Sequence, residues 1–475
     1  MAYEYIRTAL FSNPMQFAES FYIRFPKVAL GHWPPVYYAM LATAHLAGGP
    51  WIETARVLSA AICAAIAWVL FVRVRRDRGA IAGALCAAVF LVLPPVQAAS
   101  WMVMSDLLVG FFMLLAALAF AAFMESNGWR EAAWFTMWSS LAILTKGSAW
   151  ALGIFMVLAP LAARRLNCYR SRWYWISGVA IVLIAAPFYL LAESLQVGYH
   201  ADVTNLLRGA ADVAGRFTVL AHFHGFLPGV VLVVAGAGAI AMWRERNCTG
   251  MAALALIVSQ VVFLILLPLT IEGRYLMPSA IAVMLLFSRG MSLTGFAAGQ
   301  VAVAALCFAV CGIVDVGRVD GYRAVVDSIP YRQQGTVILV SSDSPGEGAL
   351  VAERLEHDRA RAGVVLRGTK VLANSDWDGS HYRLTYKSAE EVREYLRSVP
   401  VHYVVIDETG TSEAHQELLK SAVQSAPEEF RLAGRYPITG RRQGEVLVYE
   451  NLAARAQGAT VLVRVGSRTV RHRVE

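Results

Sequence analysis

From residue 54 to residue 315 long apolar runs alternate with short charged linkers. Each run is roughly 17 to 24 residues, the length an α-helix needs to cross about 30 Å of hydrocarbon at about 1.5 Å per residue. The pattern predicts ten spans, near 54–72, 80–97, 105–124, 130–146, 148–164, 174–194, 221–243, 250–269, 273–289 and 293–315. After Asp320 charges become frequent and no such run recurs. There "TVILVSS", "AGVVLRG", "VHYVVID" and "GEVLVYEN" read as strands, and "GALVAERLEHDRA", "SAEEVREYLRS" and "AHQELLKSAVQSA" as helices. That alternation predicts a soluble α/β domain over 320–475 with a mainly parallel sheet.

Residues 1–33 fit neither a signal peptide nor a span, because Glu4, Glu19, Arg24 and Lys27 are scattered through them and no apolar core follows a basic start. "YEYIRTALF" sets Tyr5, Ile6, Ala9 and Leu10 at helical spacing. "PPVYYAMLATAHLAGG" is an apolar helix that Pro34 or Pro35 can start. At about 14 residues it is short for a span and suits a helix lying at the membrane surface. His32 then stands at its N-terminal end, where free backbone N–H groups favour an anion.

Charge turns this pattern into a topology. Arg73, Arg75, Arg76 and Arg78 follow the first span, Arg164, Arg165, Arg170 and Arg172 the fifth, Arg244 and Arg246 the seventh, and Arg289 the ninth. These linkers share one side, and the positive-inside rule makes it cytoplasmic. Residues 1–53 then form an outer-face loop with surface helices, 54–315 a transmembrane domain, and 320–475 an extracytoplasmic domain. The net charge of +8 is a topology signal, with nucleic acid a poor alternative. A hydrophobic content of 57% excludes a soluble multidomain protein. Of the six cysteines, Cys63, Cys86, Cys307 and Cys311 lie in spans, and Cys168 and Cys248 in linkers. They form neither a disulfide framework nor a zinc motif.

Ionisable residues near apolar runs are the functional candidates, since charge in lipid is costly. Arg56, just inside the first span, should pair with Asp106 or Glu53. Asp106 opens the third span, where Ser105-Asp106 is also a good helix start. Glu272 and Arg274 form a local pair by default. His200, Asp202, His222 and His224 flank the outer loop after the sixth span, but their spacing matches no zinc signature.

Several stretches carry a family resemblance in both order and spacing. "GHWPPVYY", followed by a short helix and "WIETARVLSA", resembles the first outer loop and second span of GT-C glycosyltransferases of the dolichyl-phosphate-mannose protein mannosyltransferase-like family, glycosyltransferase family 39, which includes aminoarabinose transferases. "WMVMSDLLVGFF", "AILTKGSAW" and "EGRYLMP" resemble later junctions of the same family, over roughly residues 1 to 290. The resemblance implies a GT-C-like membrane enzyme of the cytoplasmic membrane. It would move a sugar from a polyprenyl-phosphate donor to a cell-envelope acceptor at the outer face.

That chemistry asks for a carboxylate near the acceptor hydroxyl and for cations around the leaving phosphate. His32, Lys146 and Arg274 are expected on the phosphate side, with Tyr37, Tyr38, Arg56 and Tyr275 as further substrate contacts. Asp106 is expected to orient a substrate hydroxyl or the base. In the family the base is an aspartate directly after the first span, and "MAYEYIRTALFSNP" resembles the stretch just downstream of it. The chain therefore reads as lacking that span, with Glu4 a weak substitute base. The resemblance fixes no cofactor, and a divalent cation stays open, as some members of the family hold one. The alternatives are a transporter or lipid-binding sensor, and a non-catalytic family member. A transporter should show repeated halves and interrupted helices at mid-membrane, and no internal repeat is visible.

Overall fold

The computed structural model describes residues 34–192, 225–266, 272–314, 319–330, 336–357, 364–374, 382–399, 401–409, 413–440, 443–454, 460–465 and 468–473, together with Ile6, Asn13, Gln16 and Phe17. They fall into two compact units, a helical bundle up to residue 314 and an α/β unit from residue 319 on.

The bundle opens with α1 (Pro35–Gly48), which has proline at its first position and ends at Gly49 with φ +83°. Then come α2 (Ile52–Arg78), α3 (Ala80–Val92), α4 (Pro94–Trp101), α5 (Asp106–Ser126) and α6 (Trp129–Ile143). A 3-10 turn (Gly147–Trp150) leads into α7 (Ala151–Ala162), followed by α8 (Arg172–Ala192), α9 (Gly229–Arg244) and α10 (Cys248–Leu266). A second 3-10 turn (Gly273–Leu276) precedes α11 (Met277–Ser292), and α12 (Ala297–Cys311) closes the unit. Each predicted span therefore has a helix, but not always one long enough to cross a bilayer alone. Five described helices are, and α3 with α4 makes a sixth, bent by 62°. The bend falls at Pro94 and Pro95, where a proline ring cannot continue the preceding helix. Gly147–Ala162, Gly229–Arg244 and Ala297–Cys311 are shorter apolar helices.

Helix α11 is the axis of the bundle, buried along nearly its whole length against α9, α10, α5 and α3. Around it, Phe120 of α5 meets Phe135 of α6 at 4.7 Å and Phe155 of α7 at 5.2 Å between ring centroids. The basic linkers gather at one end. Arg73 donates to the Thr249 hydroxyl at 2.7 Å, and the Arg289 Nε to Glu245 at 2.9 Å. Helix α11 starts beside Arg274 and carries Arg289 near its far end, so its 16 residues separate the two ends by roughly 24 Å.

The α/β unit runs β1 (Val319–Asp320), α13 (Tyr322–Ser328), β2 (Val337–Ser341), α14 (Ser344–His357), β3 (Val364–Arg367), α15 (Gly368–Val371), β4 (Ala373–Asn374), β5 (Arg383–Leu384), α16 (Ala389–Ser398), β6 (Tyr403–Asp407), α17 (Ala414–Gln424), β7 (Phe430–Gly440), β8 (Gly444–Asn451), β9 (Thr460–Val465) and β10 (Arg468–Arg473). One six-stranded sheet has the order β1-β7-β8-β6-β2-β3. Alternate strand residues bury on its two faces. Val337, Leu339, Val404 and Ile406 pack under α16 and α17, while Ile338, Val340 and Val405 pack under α13 and α14.

The mainly parallel sheet expected from the sequence is corrected here. Only β3-β2-β6 is parallel, and β8, β7 and β1 add antiparallel pairs. The missing piece is β7, half-exposed along most of its length, bulged between Leu432 and Gly434, and interrupted by Pro437, so it shows no apolar run. Strands β9 and β10 pair as an antiparallel hairpin and form their own two-stranded sheet.

Candidate active site

Four chain segments converge at the bundle end away from the arginine linkers. Proline starts α1, and the next N–H, of Val36, donates to the Leu144 carbonyl at 3.0 Å. That bond joins the start of α1 to the end of α6 and brings Tyr37 and Tyr38 to the Thr145-Lys146 junction. Lys146 is in an extended conformation between α6 and the 3-10 turn. Behind it, the Tyr189 hydroxyl of α8 donates to the Ile143 carbonyl at 2.8 Å. Helix α5 begins at Asp106 as expected, although the Ser105 side chain does not cap it. The short connection leading into α5 is held to α2, because the Ser59 hydroxyl lies 3.3 Å from the Met102 carbonyl. Arg274 sits on the second 3-10 turn, under which the buried Gln260 amide of α10 donates to the Tyr275 carbonyl at 3.2 Å.

These segments enclose a cavity of about 230 Å³ lined by Tyr37, Tyr38, Met104, Ser105, Asp106, Thr145, Lys146 and Arg274, with Val103. Lys146 Nζ donates to Asp106 Oδ1 at 2.5 Å, with the two side chains 9% and 5% exposed. The Tyr275 ring covers the same ammonium, its centroid 4.5 Å from Nζ. Arg274 is more open, 29% exposed, and donates to Glu272 at 2.6 Å and to the Met104 sulfur at 2.8 Å. Its Nε and the Tyr37 hydroxyl are buried with no hydrogen-bond partner among the described residues. Both residues line the cavity, so a bound molecule offering acceptor oxygens would complete two donors that the protein leaves unmet.

Five residues singled out from the sequence therefore share one cavity: Tyr37, Tyr38, Asp106, Lys146 and Arg274. Tyr275 packs on both cations, 5.5 Å from Arg274 as well as over Lys146. Glu272 makes the expected local pair with Arg274. Arg56 is a correction. Its guanidinium lies over the Trp101 ring at 5.9 Å with Nε unpartnered, while Lys146 takes Asp106. The Lys146 loop reaches Asp106 from the end of α6, whereas Arg56, one turn into α2, faces the bent helix α4. Glu4, His32, His200, Asp202, His222 and His224 lie outside the described residues. Among those described, no three His, Cys, Asp or Glu side chains gather as metal ligands. Tyr189, Gln260 and Met104 were missed from the sequence. Of these only Gln260 left a signal there, as a polar amide inside an apolar span.

The α/β unit has its own polar cluster, at the carboxyl ends of the parallel strands β2 and β6. Asp407 accepts from the Tyr322 hydroxyl at 2.6 Å, the Ser342 hydroxyl at 2.5 Å, and the Thr409 amide and hydroxyl at 2.8 and 2.6 Å. Gly346 packs directly on the Ser342 and Tyr322 hydroxyls of this cluster, where a side chain would not fit.

The bundle also has relatives. The family model described as dolichyl-phosphate-mannose-protein mannosyltransferase matches residues 32–190, which include Tyr37, Asp106 and Lys146. The apo crystal structure of ArnT from Cupriavidus metallidurans superposes with a TM-score of 0.58 at 13% identity, covering 93% of this chain and 93% of that one. The oligosaccharyltransferase of Archaeoglobus fulgidus, solved with zinc and sulfate, gives 0.48 at 12% identity over 91% of this chain and 70% of its own. At these identities the likeness is one of fold. No curated protein sequence matches the chain.

Proposed function

We propose that this chain, a polytopic membrane glycosyltransferase of the GT-C fold, transfers a sugar from a polyprenyl-phosphate donor to a hydroxyl of a cell-envelope lipid, glycan or protein. The observation that carries the reading is the cavity that Arg274, with an unmet buried N–H, shares with Asp106 and two tyrosines. Transfer breaks the bond between the anomeric carbon and the carrier phosphate, and negative charge grows on the departing oxygen. A guanidinium at that oxygen lowers the barrier, because it is already oriented when the charge appears. Arg274 has that part, with Tyr275 beneath it. Asp106 serves the acceptor side, and Tyr37 and Tyr38 form the wall against which the sugar lies.

The sidedness of the chemistry follows from charge. Arginine linkers occupy the bundle end opposite the cavity, and the positive-inside rule assigns that end to the cytoplasm. The cavity then opens at the outer face of the cytoplasmic membrane, where an envelope acceptor is available. The α/β unit is read as an extracytoplasmic accessory domain.

The test uses full-length protein in lipid nanodiscs, with a membrane extract supplying donor and acceptor. Released polyprenyl monophosphate is measured, since it forms whatever the sugar. Arg274→Gln should abolish release while the protein stays monodisperse. Turnover at the wild-type rate would remove Arg274, and with it the proposed chemistry, from the cavity.

A further inference from the structure

We infer that Met104 holds the place of the carrier phosphate: in the empty cavity its thioether occupies the Arg274 N–H that a phosphate oxygen takes, so the side chain at position 104 sets how tightly the phosphate is bound. This rests on the transferase reading of Arg274 above. It gives a part to a side chain that the sequence did not single out.

The three nitrogens of Arg274 are unequally committed. Nη2 donates to the Glu272 carboxylate at 2.6 Å, Nε has no partner among the described residues, and Nη1 donates to the Met104 sulfur at 2.8 Å. A thioether is a weak and uncharged acceptor, whereas a hydrogen bond between charged groups is about twice as strong as one between neutral groups. An incoming phosphate oxygen therefore gains more by displacing the thioether than by displacing the carboxylate. Glu272 stays and Met104 leaves. Both Met104 and Arg274 line the cavity, so the exchange takes place on its wall.

The local structure suits a side chain that moves on a backbone that does not. Between α4 and α5 the chain is pinned, because the Met102 carbonyl accepts from the Met104 amide at 3.0 Å and lies 3.3 Å from the Ser59 hydroxyl of α2. Methionine is unbranched and turns about three side-chain bonds, so the sulfur can swing aside without shifting that backbone. With the cavity empty, it spares Nη1 the cost of an unmet donor. With phosphate bound, the weak bond is traded for a charged one. Leucine at this position would fill similar space without accepting, and glutamine would accept better than sulfur.

Those two residues make the test. Binding of an added polyprenyl monophosphate is measured on the full-length protein in lipid nanodiscs, for the wild type, Met104→Leu, Met104→Gln, Met102→Leu and Arg274→Gln. Met104→Leu removes the competitor and should tighten binding by about two- to fivefold, whereas Met104→Gln installs a stronger one and should weaken binding by about tenfold. Met102, 39% exposed and absent from the cavity wall, is the control, and Met102→Leu should stay within about twofold of the wild type. The second readout is the NMR signal of the Met104 methyl group in the wild-type protein, assigned by its loss in Met104→Leu or, if that variant misfolds, in Met104→Ile. Added monophosphate should move this signal with the same midpoint as binding. A Met104→Leu protein that binds no more tightly than the wild type, or a methyl signal that monophosphate leaves in place, would overturn the inference. If Arg274→Gln binds monophosphate as tightly as the wild type, the transferase reading of Arg274 fails and this inference with it. If Arg274→Gln loses binding while the Met104 variants match the wild type, the inference alone fails.

Discussion

Gly238 of α9 and Gly290 of α11 meet where two helix backbones touch: a methyl built on Gly238 would lie 2.6 Å from the Gly290 nitrogen and 1.9 Å from the Leu286 carbonyl oxygen. One on Gly290 would lie 1.8 Å from the Val234 carbonyl oxygen. Small residues let membrane helices approach this closely, and α11 carries the Arg274 turn at its start. Gly238→Ala should therefore force the helices apart and destabilise the protein by about 3 kcal/mol or more, the upper range for overpacking. A methyl on Gly236, two residues away, would have no heavy atom within 4 Å. Gly236→Ala should raise stability slightly, by up to about 1 kcal/mol, through helix propensity. Thermal unfolding in one detergent compares the two, and equal effects would mean that the two backbones do not touch at this crossing.

The Tyr37 hydroxyl is buried, partnerless and on the cavity wall. An unmet buried donor costs about 1 to 3 kcal/mol, so Tyr37→Phe should leave the empty protein as stable or more stable. If the hydroxyl waits for substrate, the same change should raise the donor KM several-fold. A melting point raised together with an unchanged KM would make Tyr37 a packing residue. A lowered melting point would show that the hydroxyl already has a partner.

Asp407 ends a strand, as catalytic acids often do, yet its four hydrogen bonds all go to side-chain and backbone donors of its own unit. Asp407→Ala would remove the acceptor that Tyr322, Ser342 and Thr409 share and should cost the α/β unit about 3 kcal/mol. Polyprenyl monophosphate release at a temperature where the unit stays folded should be nearly unchanged. A variant that is folded but inactive would refute the accessory reading of this domain.

What the sequence made legible follows from which forces are local. Apolar runs marked the helices, and Pro34, Pro35 and Ser105-Asp106 marked their starts, because burial and the backbone limits of a helix's first turn act within a few residues. The site end was legible too, since Asp106 and Arg274 open the third and ninth spans and Lys146 closes the fourth, ends that the charge pattern puts on one side. Pairing was not. Asp106 and Lys146 are 40 residues apart, and Arg56 was nearer in expectation though not in space. The choice depends on how α4 bends, which brings Trp101 over Arg56. Strand β7 was hidden for a different reason: it packs through Phe430 and Ile438 with exposed positions between, so its signal is hairpin pairing with β8, not an apolar run.

A final expectation concerns pH and the α/β unit. His415 is fully buried at the start of α17, and burial pushes its imidazole down to about 4. Its geometry agrees with a neutral ring. The Tyr382 hydroxyl accepts from the His415 amide at 3.1 Å and has its own proton for Nδ1 at 3.0 Å, which leaves the other proton on a buried, unpartnered Nε2. Glu413, 3.3 Å away but half-exposed, is too well solvated to hold a charge there. An unfolded histidine titrates near 6.5, so between about 6.5 and 4 the unfolded chain binds more protons than the folded one. Stability is then complete above that window and falls as pH drops through it, by at most about 3 kcal/mol from this residue. Hydrogen exchange of the β6 and α17 amides in the full-length protein reads it out. Protection should decline from pH 7 to pH 4.5 more steeply in the wild type than in His415→Gln, which keeps a neutral polar side chain. Parallel declines would mean that His415 titrates normally and that the carboxylates alone set the acid sensitivity of the unit.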